Sequence, residues 1–297
     1  MARALSCILS AAVTRCIGGY ALVALPALLK TKPRPRILRG NMTPEQLDAY
    51  FNRIGIPAID VLDAPALSRL QRAHLASIPF ENLDILAGRG PVNLEPEALF
   101  DKLVTRRRGG ICYEQNALFA DVLRTLGARV AYKAGRVYEG GSVFDHIFLL
   151  VELPDAAGGQ WLCDVGFAYL LRGPLRVELD VVQPGGPESY LIEAAPGEDE
   201  DWLRVVRIRR DATREPLFSF GPQVYELSDF HERVVFNSTD PSTRFTKGPL
   251  VCIDAGEGRT VLSYSRLSWL EEGKVAFRTV VPDEVDDVLR EVFGLVR

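Results

Sequence analysis

Arg108-Gly109-Gly110-Ile111-Cys112-Tyr113-Glu114-Gln115-Asn116 is the stretch on which the reading of the chain turns. Before it, an apolar pattern at helical spacing runs from Asn93 through Leu99, Phe100 and Leu103 and ends in Arg106-Arg107-Arg108, cations that suit a helix C-terminus. Gly109-Gly110 breaks that helix. After it, Leu118, Phe119, Val122, Leu123 and Leu126 again recur at helical spacing, with Gly127 placed to end the run. Cys112 therefore opens a helix, where free N–H groups and the positive dipole end would favour a thiolate and lower the thiol pKa. The same N–H groups could hold an oxyanion. A free cysteine is otherwise a small buried residue; its place after two glycines favours a nucleophile.

Working outward, Thr43-Pro44-Glu45-Gln46 combines an N-cap threonine, a proline at the first helical position and a glutamine three residues after the cap. The helix it opens carries Leu47, Tyr50, Phe51 and Ile54. Asp63 and Pro65 open a second, with Leu67, Leu70 and His74 on one face. Residues 42–127 thus read as a helical domain. Beyond Ala128 the pattern becomes strand-like: Val130–Val137, Val143–Leu153, Trp161–Phe167, Leu175–Val182, Tyr190–Glu193 and Trp202–Ile208, which predicts a barrel or sandwich. A helical stretch near Leu227–Phe236 follows, then strands around Leu250, Val261–Leu267 and Val275–Val281. A last helix is opened by Pro282-Asp283-Glu284 and carries Val285, Val288, Leu289 and Val292.

A cysteine nucleophile needs a base and a group to orient that base. His146 lies in the apolar strand Val143–Val151, and Asp164 lies in Trp161-Leu162-Cys163-Asp164-Val165-Gly166-Phe167, read as a neighbouring strand. An unpaired polar group in either setting costs about 1 to 3 kcal/mol, so each should have a partner. Asp164 holding His146, with His146 facing Cys112, satisfies both.

Together with Ile78-Pro79-Phe80-Glu81-Asn82, Asp164-Val165-Gly166-Phe167 and Ser238-Thr239-Asp240-Pro241, the Arg108–Glu114 element resembles the arylamine N-acetyltransferase family from about Met42 onward. The resemblance implies an α+β multidomain fold with a cysteine-protease-like core. Its parts would be a helical domain carrying the cysteine (42–127), a central β-barrel carrying the histidine and aspartate (128–236) and a C-terminal α/β lid (237–297). It implies Cys112 as acyl-accepting nucleophile, His146 as general base and Asp164 as its orienting partner, with Arg108 and Glu81 as a structural pair. It also implies an aromatic acceptor pocket at Phe80, Val137, Phe167 and Phe236, and CoA contacts at Ser242 and Thr243. Arg244 and Lys247 would meet the CoA phosphates. The substrates would be acetyl-CoA and a small arylamine, arylhydrazine or N-hydroxyarylamine, handled in turn. Two departures stand out: Asp145 where a threonine is common before the histidine, and Ala168 where a second glycine often follows.

Composition narrows the field. The chain has 297 residues, 47% apolar and 25% charged, enough for a substantial core. Its net charge of −4 hides an asymmetry. Arg3, Arg15, Lys30, Lys32, Arg34, Arg36 and Arg39 fall in residues 1–41, which hold no acid, so the body has 28 basic against 39 acidic residues, a net of −11. That argues against nucleic acid as a partner. Ile17–Leu29 is apolar for 13 residues but is interrupted by Gly18, Gly19 and Pro26, too short and broken to span a membrane. Residues 1–41 read as an N-terminal extension, a targeting segment or sequence upstream of a functional start at Met42. Five cysteines without C-x-x-C spacing and three histidines give no disulfide framework and no metal signature, which points to metal-free chemistry in a reducing cytoplasm. Three other functions fit parts of the pattern. One is an amide synthase of the same family, which would be indifferent to acetyl-CoA. Another is a Cys-His-Asp hydrolase or transglutaminase-like enzyme working without CoA. The third is a non-catalytic barrel that binds aromatics, with an unreactive Cys112.

Overall fold

The computed structural model describes residues 42–154, 159–167, 171–186, 188–256, 258–271 and 274–296. The expected 1–41 extension, Cys7, Cys16 and Ala168 lie outside the described residues. Helix α1 (Pro44–Ile54) starts as its sequence dictates: Thr43 accepts from the Gln46 N–H, and the Gln46 side chain reaches back to the Thr43 N–H at 2.9 Å. Helix α2 (Ala64–Ser77) is capped by Asp63 and buries Leu67, Leu70 and His74. Strand β1 (Phe80–Glu81) and the single-turn helix α3 (Leu83–Leu86) follow. The helix expected from Asn93 begins instead at Pro96, as α4 (Pro96–Phe100), and passes into a π-helical turn, Asp101–Thr105. Asn93 turns back on itself, its side chain accepting from the Glu95 N–H at 2.9 Å, and Pro96 takes the first helical turn. Helix α5 (Cys112–Thr125) begins at the cysteine, and Gly127 with φ +92° turns the chain out of it.

Strands β2 (Arg129–Gly135), β3 (His146–Glu152), β4 (Gln160–Cys163) and β5 (Leu175–Arg176) form one antiparallel sheet. Strands β6 (Gln183–Pro184), β7 (Ser189–Ala194), β8 (Leu203–Ile208) and β9 (Arg214–Phe220) form a second. These are two sheets rather than the expected closed barrel. At one seam Arg136 and Ser219 exchange both backbone hydrogen bonds, at 2.8 and 2.9 Å. At the other, where Leu175–Val182 was expected to run as one strand, the ladder stops after two residues. The Gln183 side-chain amide takes up the backbone N–H and C=O of Arg176, at 2.8 and 2.9 Å, in place of a neighbouring strand. Strand β3 is buried on both faces, which explains its unbroken apolar sequence. Ile147, Leu149 and Val151 pack with the helices, and Phe148 and Leu150 pack between the sheets with Phe218 and Phe220.

After a 3-10 turn (Leu227–Phe230), α6 (His231–Thr239) leads into β10 (Leu250–Asp254), β11 (Arg259–Ser263), β12 (Arg266–Glu271) and β13 (Lys274–Thr279), then α7 (Val285–Phe293). The expected strand Val261–Leu267 is a hairpin, β11 turning into β12. The C-terminal sheet runs β1-β10-β11-β12-β13, so Phe80 and Glu81 from the helical region pair with Cys252 and Val251. Leu83, Val251, Leu262, Val288, Leu289 and Phe293 form the core on this side.

Candidate active site

Cys112 is placed by the two motifs that flank it in space. Pro79-Phe80-Glu81 runs parallel to the glycine turn, with a 3.0 Å bond from Glu81 N–H to the Gly110 carbonyl. A β-carbon at Gly109 would stand 1.9 Å from the Pro79 carbonyl oxygen, so only glycine allows this approach. Beneath the turn lies a buried charge network. Arg108 binds Glu81 at 2.7 Å, as expected of this pair, and Lys102 binds Glu114 at 2.7 Å and Asp84 at 3.0 Å. Burial pulls the Lys102 ammonium down, but the carboxylates of Glu114, Glu81 and Asp84 outweigh it and hold the pKa above its ordinary value. Glu114 also accepts from the Ile111 N–H at 2.9 Å and so caps the helix that Cys112 begins. Glu81 accepts from the Leu83 N–H, and Asn82 ties down the chain around 245–250 through the Phe245 and Gly248 carbonyls and the Leu250 N–H. The local pattern could not disclose Asn82's partners, which lie more than 160 residues away.

His146 begins β3, and Asp164 stands one residue past the end of β4, not inside a strand. The turn there aims its carboxylate back at the histidine: His146 Nε2 is 2.6 Å from Asp164 Oδ2, both residues being about 1% exposed. The second oxygen, Oδ1, accepts from the Gly166 N–H at 2.9 Å and from Asn116 Nδ2 at 3.0 Å. Asn116 also donates to the Ile147 carbonyl at 2.8 Å and accepts from the Val165 N–H at 3.2 Å. The sequence did not single out this link to Asp164, although the spacing of four places Asn116 and Cys112 on one face of α5. With Nε2–H assigned to the carboxylate, Nδ1 is the ring nitrogen left to take a proton. The Phe167 and Phe218 rings flank the imidazole, with centroids at 4.8 and 5.2 Å.

Cys112 and His146 border one cavity of about 390 Å³. The four residues expected to hold the acceptor, Phe80, Val137, Phe167 and Phe236, line it as well, and so do Ser242 and Thr243, expected at the CoA. Arg244 joins them, whereas Lys247 is exposed and is not part of the lining. Tyr138, Gly166, Asn237, Phe245, Leu250 and the Asp145–Arg233 ion pair also line it and were not anticipated.

The expectation of a lowered thiol pKa needs correction. Burial, reinforced by the charge of Asp164, pushes the Cys112 thiol up, and hydrogen bonds from the backbone of Ile147 and Tyr113 only partly oppose it. The helix terminus is buried, so a thiolate there requires a positive partner. His74, by contrast, is wholly structural: Tyr50 donates to its Nδ1 at 2.8 Å, its Nε2 faces Gln115 Oε1 at 3.1 Å, and Gln115 donates to the Gly110 carbonyl at 2.9 Å. His231 is exposed at the start of α6. Among the described residues no cluster of three or more His, Cys, Asp or Glu could hold a metal ion, and no helix is long and apolar enough to cross a membrane.

The N-acetyltransferase family model matches residues 63–296. An arylamine N-acetyltransferase from Mycobacterium tuberculosis is 36% identical over 84% of this chain and 89% of its own length. The Salmonella typhimurium relative, 31% identical over 84% of this chain and 88% of its own, is named arylamine N-acetyltransferase / N-hydroxyarylamine O-acetyltransferase. Among solved structures, the Mycobacterium marinum arylamine N-acetyltransferase in complex with CoA is 34% identical. It covers 84% of this chain and 92% of its own, with a TM-score of 0.76.

Proposed function

Because this chain belongs to the arylamine N-acetyltransferase family and is an acetyltransferase, we propose that it carries an acetyl group from acetyl-CoA through Cys112 to the nitrogen of an arylamine, arylhydrazine or N-hydroxyarylamine. The observation that carries the reading is the 2.6 Å bond from buried Asp164 to His146, which shares a cavity wall with Cys112. That bond fixes the imidazole with Nδ1 free to take the thiol proton. The resulting imidazolium supplies the positive partner that a buried thiolate requires.

The thiolate attacks the thioester carbonyl carbon, the bond from that carbon to the CoA sulfur breaks, and His146 returns its proton to the departing CoA thiolate. An amine then enters the aromatic walls formed by Phe80, Val137, Phe167 and Phe236. Its nitrogen lone pair attacks the acetyl carbon, its proton passes to His146, and Cys112 leaves as thiolate. Arylamines suit the second step because they are largely unprotonated at neutral pH. One cavity serving both halves fits a ping-pong order, in which CoA must leave before the acceptor enters. In this division of labour residues 42–127 present the nucleophile, 128–236 the base, and 237–297 the donor contacts at Ser242 and Thr243.

Incubation with acetyl-CoA and no amine should leave an acetyl group on the proteolytic peptide that contains Cys112, detectable by mass spectrometry. A Cys112→Ala protein that kept its transfer activity would overturn the proposal.

A further inference from the structure

Arg233 and Asn237 stand one turn apart on α6 and project from the same face of it. The Asn237 side chain makes a buried link: its amide donates to the Tyr113 hydroxyl at 2.9 Å, and that hydroxyl donates to the Phe144 carbonyl at 2.8 Å. Arg233 reaches the next residue, Asp145, but through Nη2 and Oδ1 alone. Arg233 Nε and Asp145 Oδ2 are both buried without a partner, although a guanidinium and a carboxylate can pair through two parallel bonds. The Asp145 side chain is 7% exposed, whereas that of Arg233 is 28% exposed. The Arg233 guanidinium also lies over the Phe236 ring, 4.4 Å from its centroid, and both border the cavity that holds Cys112 and His146.

A tether from α6 to the segment before His146 already exists through Asn237, so anchoring does not account for the arginine. What remains is a planar, permanently charged fork, held by one bond to an internal carboxylate, stacked on an aromatic wall of the substrate cavity and part-exposed there. That arrangement matches an incoming carboxylate. We propose that Arg233 is a specificity-determining residue that binds a carboxylate carried by one of the two substrates, with Asp145 as the internal carboxylate that holds the guanidinium and competes for it. The proposal rests on the acetyl-transfer reading above. The carboxylate could sit on the ring of the acceptor, as in an aminobenzoate, or at the far end of a dicarboxylic acyl group on CoA. A neutral arylamine and an acetyl thioester offer the fork no charged partner.

Two ratios test it. One is kcat/KM for 4-aminobenzoate over that for its ethyl ester, both with acetyl-CoA; the other is the rate of acyl-enzyme formation from malonyl-CoA over that from acetyl-CoA. In Arg233→Gln at least one ratio should fall about tenfold or more. In Asp145→Asn, which removes the internal competitor, the same ratio should rise. A change confined to the first ratio places the carboxylate on the acceptor, and a change confined to the second places it on the donor. Should Arg233→Gln fail to fold, Arg233→Lys keeps the charge without the fork and should lower the same ratio by less. Ratios that stay flat in all variants overturn the proposal. So does a ratio that falls in Asp145→Asn as it falls at Arg233, because that pattern belongs to a simple tether. Wild-type protein that forms no acyl-Cys112 from either thioester overturns both readings; wild type that acylates Cys112 but shows flat ratios across the variants overturns this one alone.

Discussion

Gly166 and Cys112 touch backbone to backbone: a β-carbon at 166 would stand 2.5 Å from Cys112 Cα and 2.7 Å from Asn116 Nδ2. The glycine after Asp164-Val165 is therefore a packing requirement of Cys112, the proposed nucleophile. Gly166→Ala must push α5 or the 164–167 turn aside, at about 1 to 3 kcal/mol of stability. A displacement of about 1 Å between Cys112 and His146 should slow acetyl-enzyme formation by roughly a hundredfold. Stopped-flow release of CoA, read beside the thermal midpoint, separates the two effects. A folded Gly166→Ala protein with wild-type acylation would show that the contact does not matter.

In the proposed mechanism Asp164 and Asn116 act through His146, and their variants should fail differently. Asp164→Asn keeps the shape but presents an amide where the histidine needs an acceptor, favouring the wrong tautomer; the acylation rate should fall roughly 10³- to 10⁴-fold with little change in KM. Asn116→Ala leaves the Val165 N–H and the Ile147 carbonyl without their side-chain partner. It should cost about 1 to 3 kcal/mol for each group left buried and unpaired, and a smaller fraction of the rate. Equal rate losses in the two variants would contradict this ranking.

Legibility followed the range of the interaction. Thr43 and Asp63 could be read because a cap is settled within three residues, and Cys112 because two glycines and a helix start are adjacent in the chain. His146 and Asp164 stood out as polar residues among apolar ones, and their chemistry predicted the partnership the fold supplies. The two-residue strand Phe80–Glu81 could not be read, since nothing local marks pairing with Val251 and Cys252. Nor could the end of the β4–β5 ladder, where a glutamine side chain imitates a strand. The thiol pKa was misjudged for the same reason: the helix terminus is local, but the burial and the Asp164 charge that oppose it come from other elements.

Lys102 is the cation on which the buried Glu114 depends. Lys102→Met removes the charge but keeps most of the side-chain volume, leaving Glu114 uncompensated at 2% exposure. The expected loss is about 3 to 5 kcal/mol in urea unfolding. Lys102→Met combined with Glu114→Gln should recover part of it, because the amide oxygen can still accept from the Ile111 N–H without a buried charge. A double variant less stable than Lys102→Met alone would refute this account.

His74 makes folding sensitive to acid. Burial, only partly offset by the bond to Gln115, holds its pKa down at about 3, against an ordinary value of 6.5. The folded protein therefore keeps the imidazole neutral while the unfolded chain takes up a proton as the pH falls below about 6.5. The unfolded state binds more protons throughout that window, so stability drops with falling pH, reaching a loss on the order of 5 kcal/mol near pH 3. In His74→Gln the residue no longer titrates, and contributions from other groups cancel in the difference between the two proteins. Urea unfolding of both should show the gap changing in favour of the variant by about 1.4 kcal/mol for each pH unit between roughly pH 5.5 and 4.5. Parallel stability curves across that interval would mean that His74 accepts its proton in the folded state, and that the Tyr50–His74–Gln115 chain does not require a neutral ring.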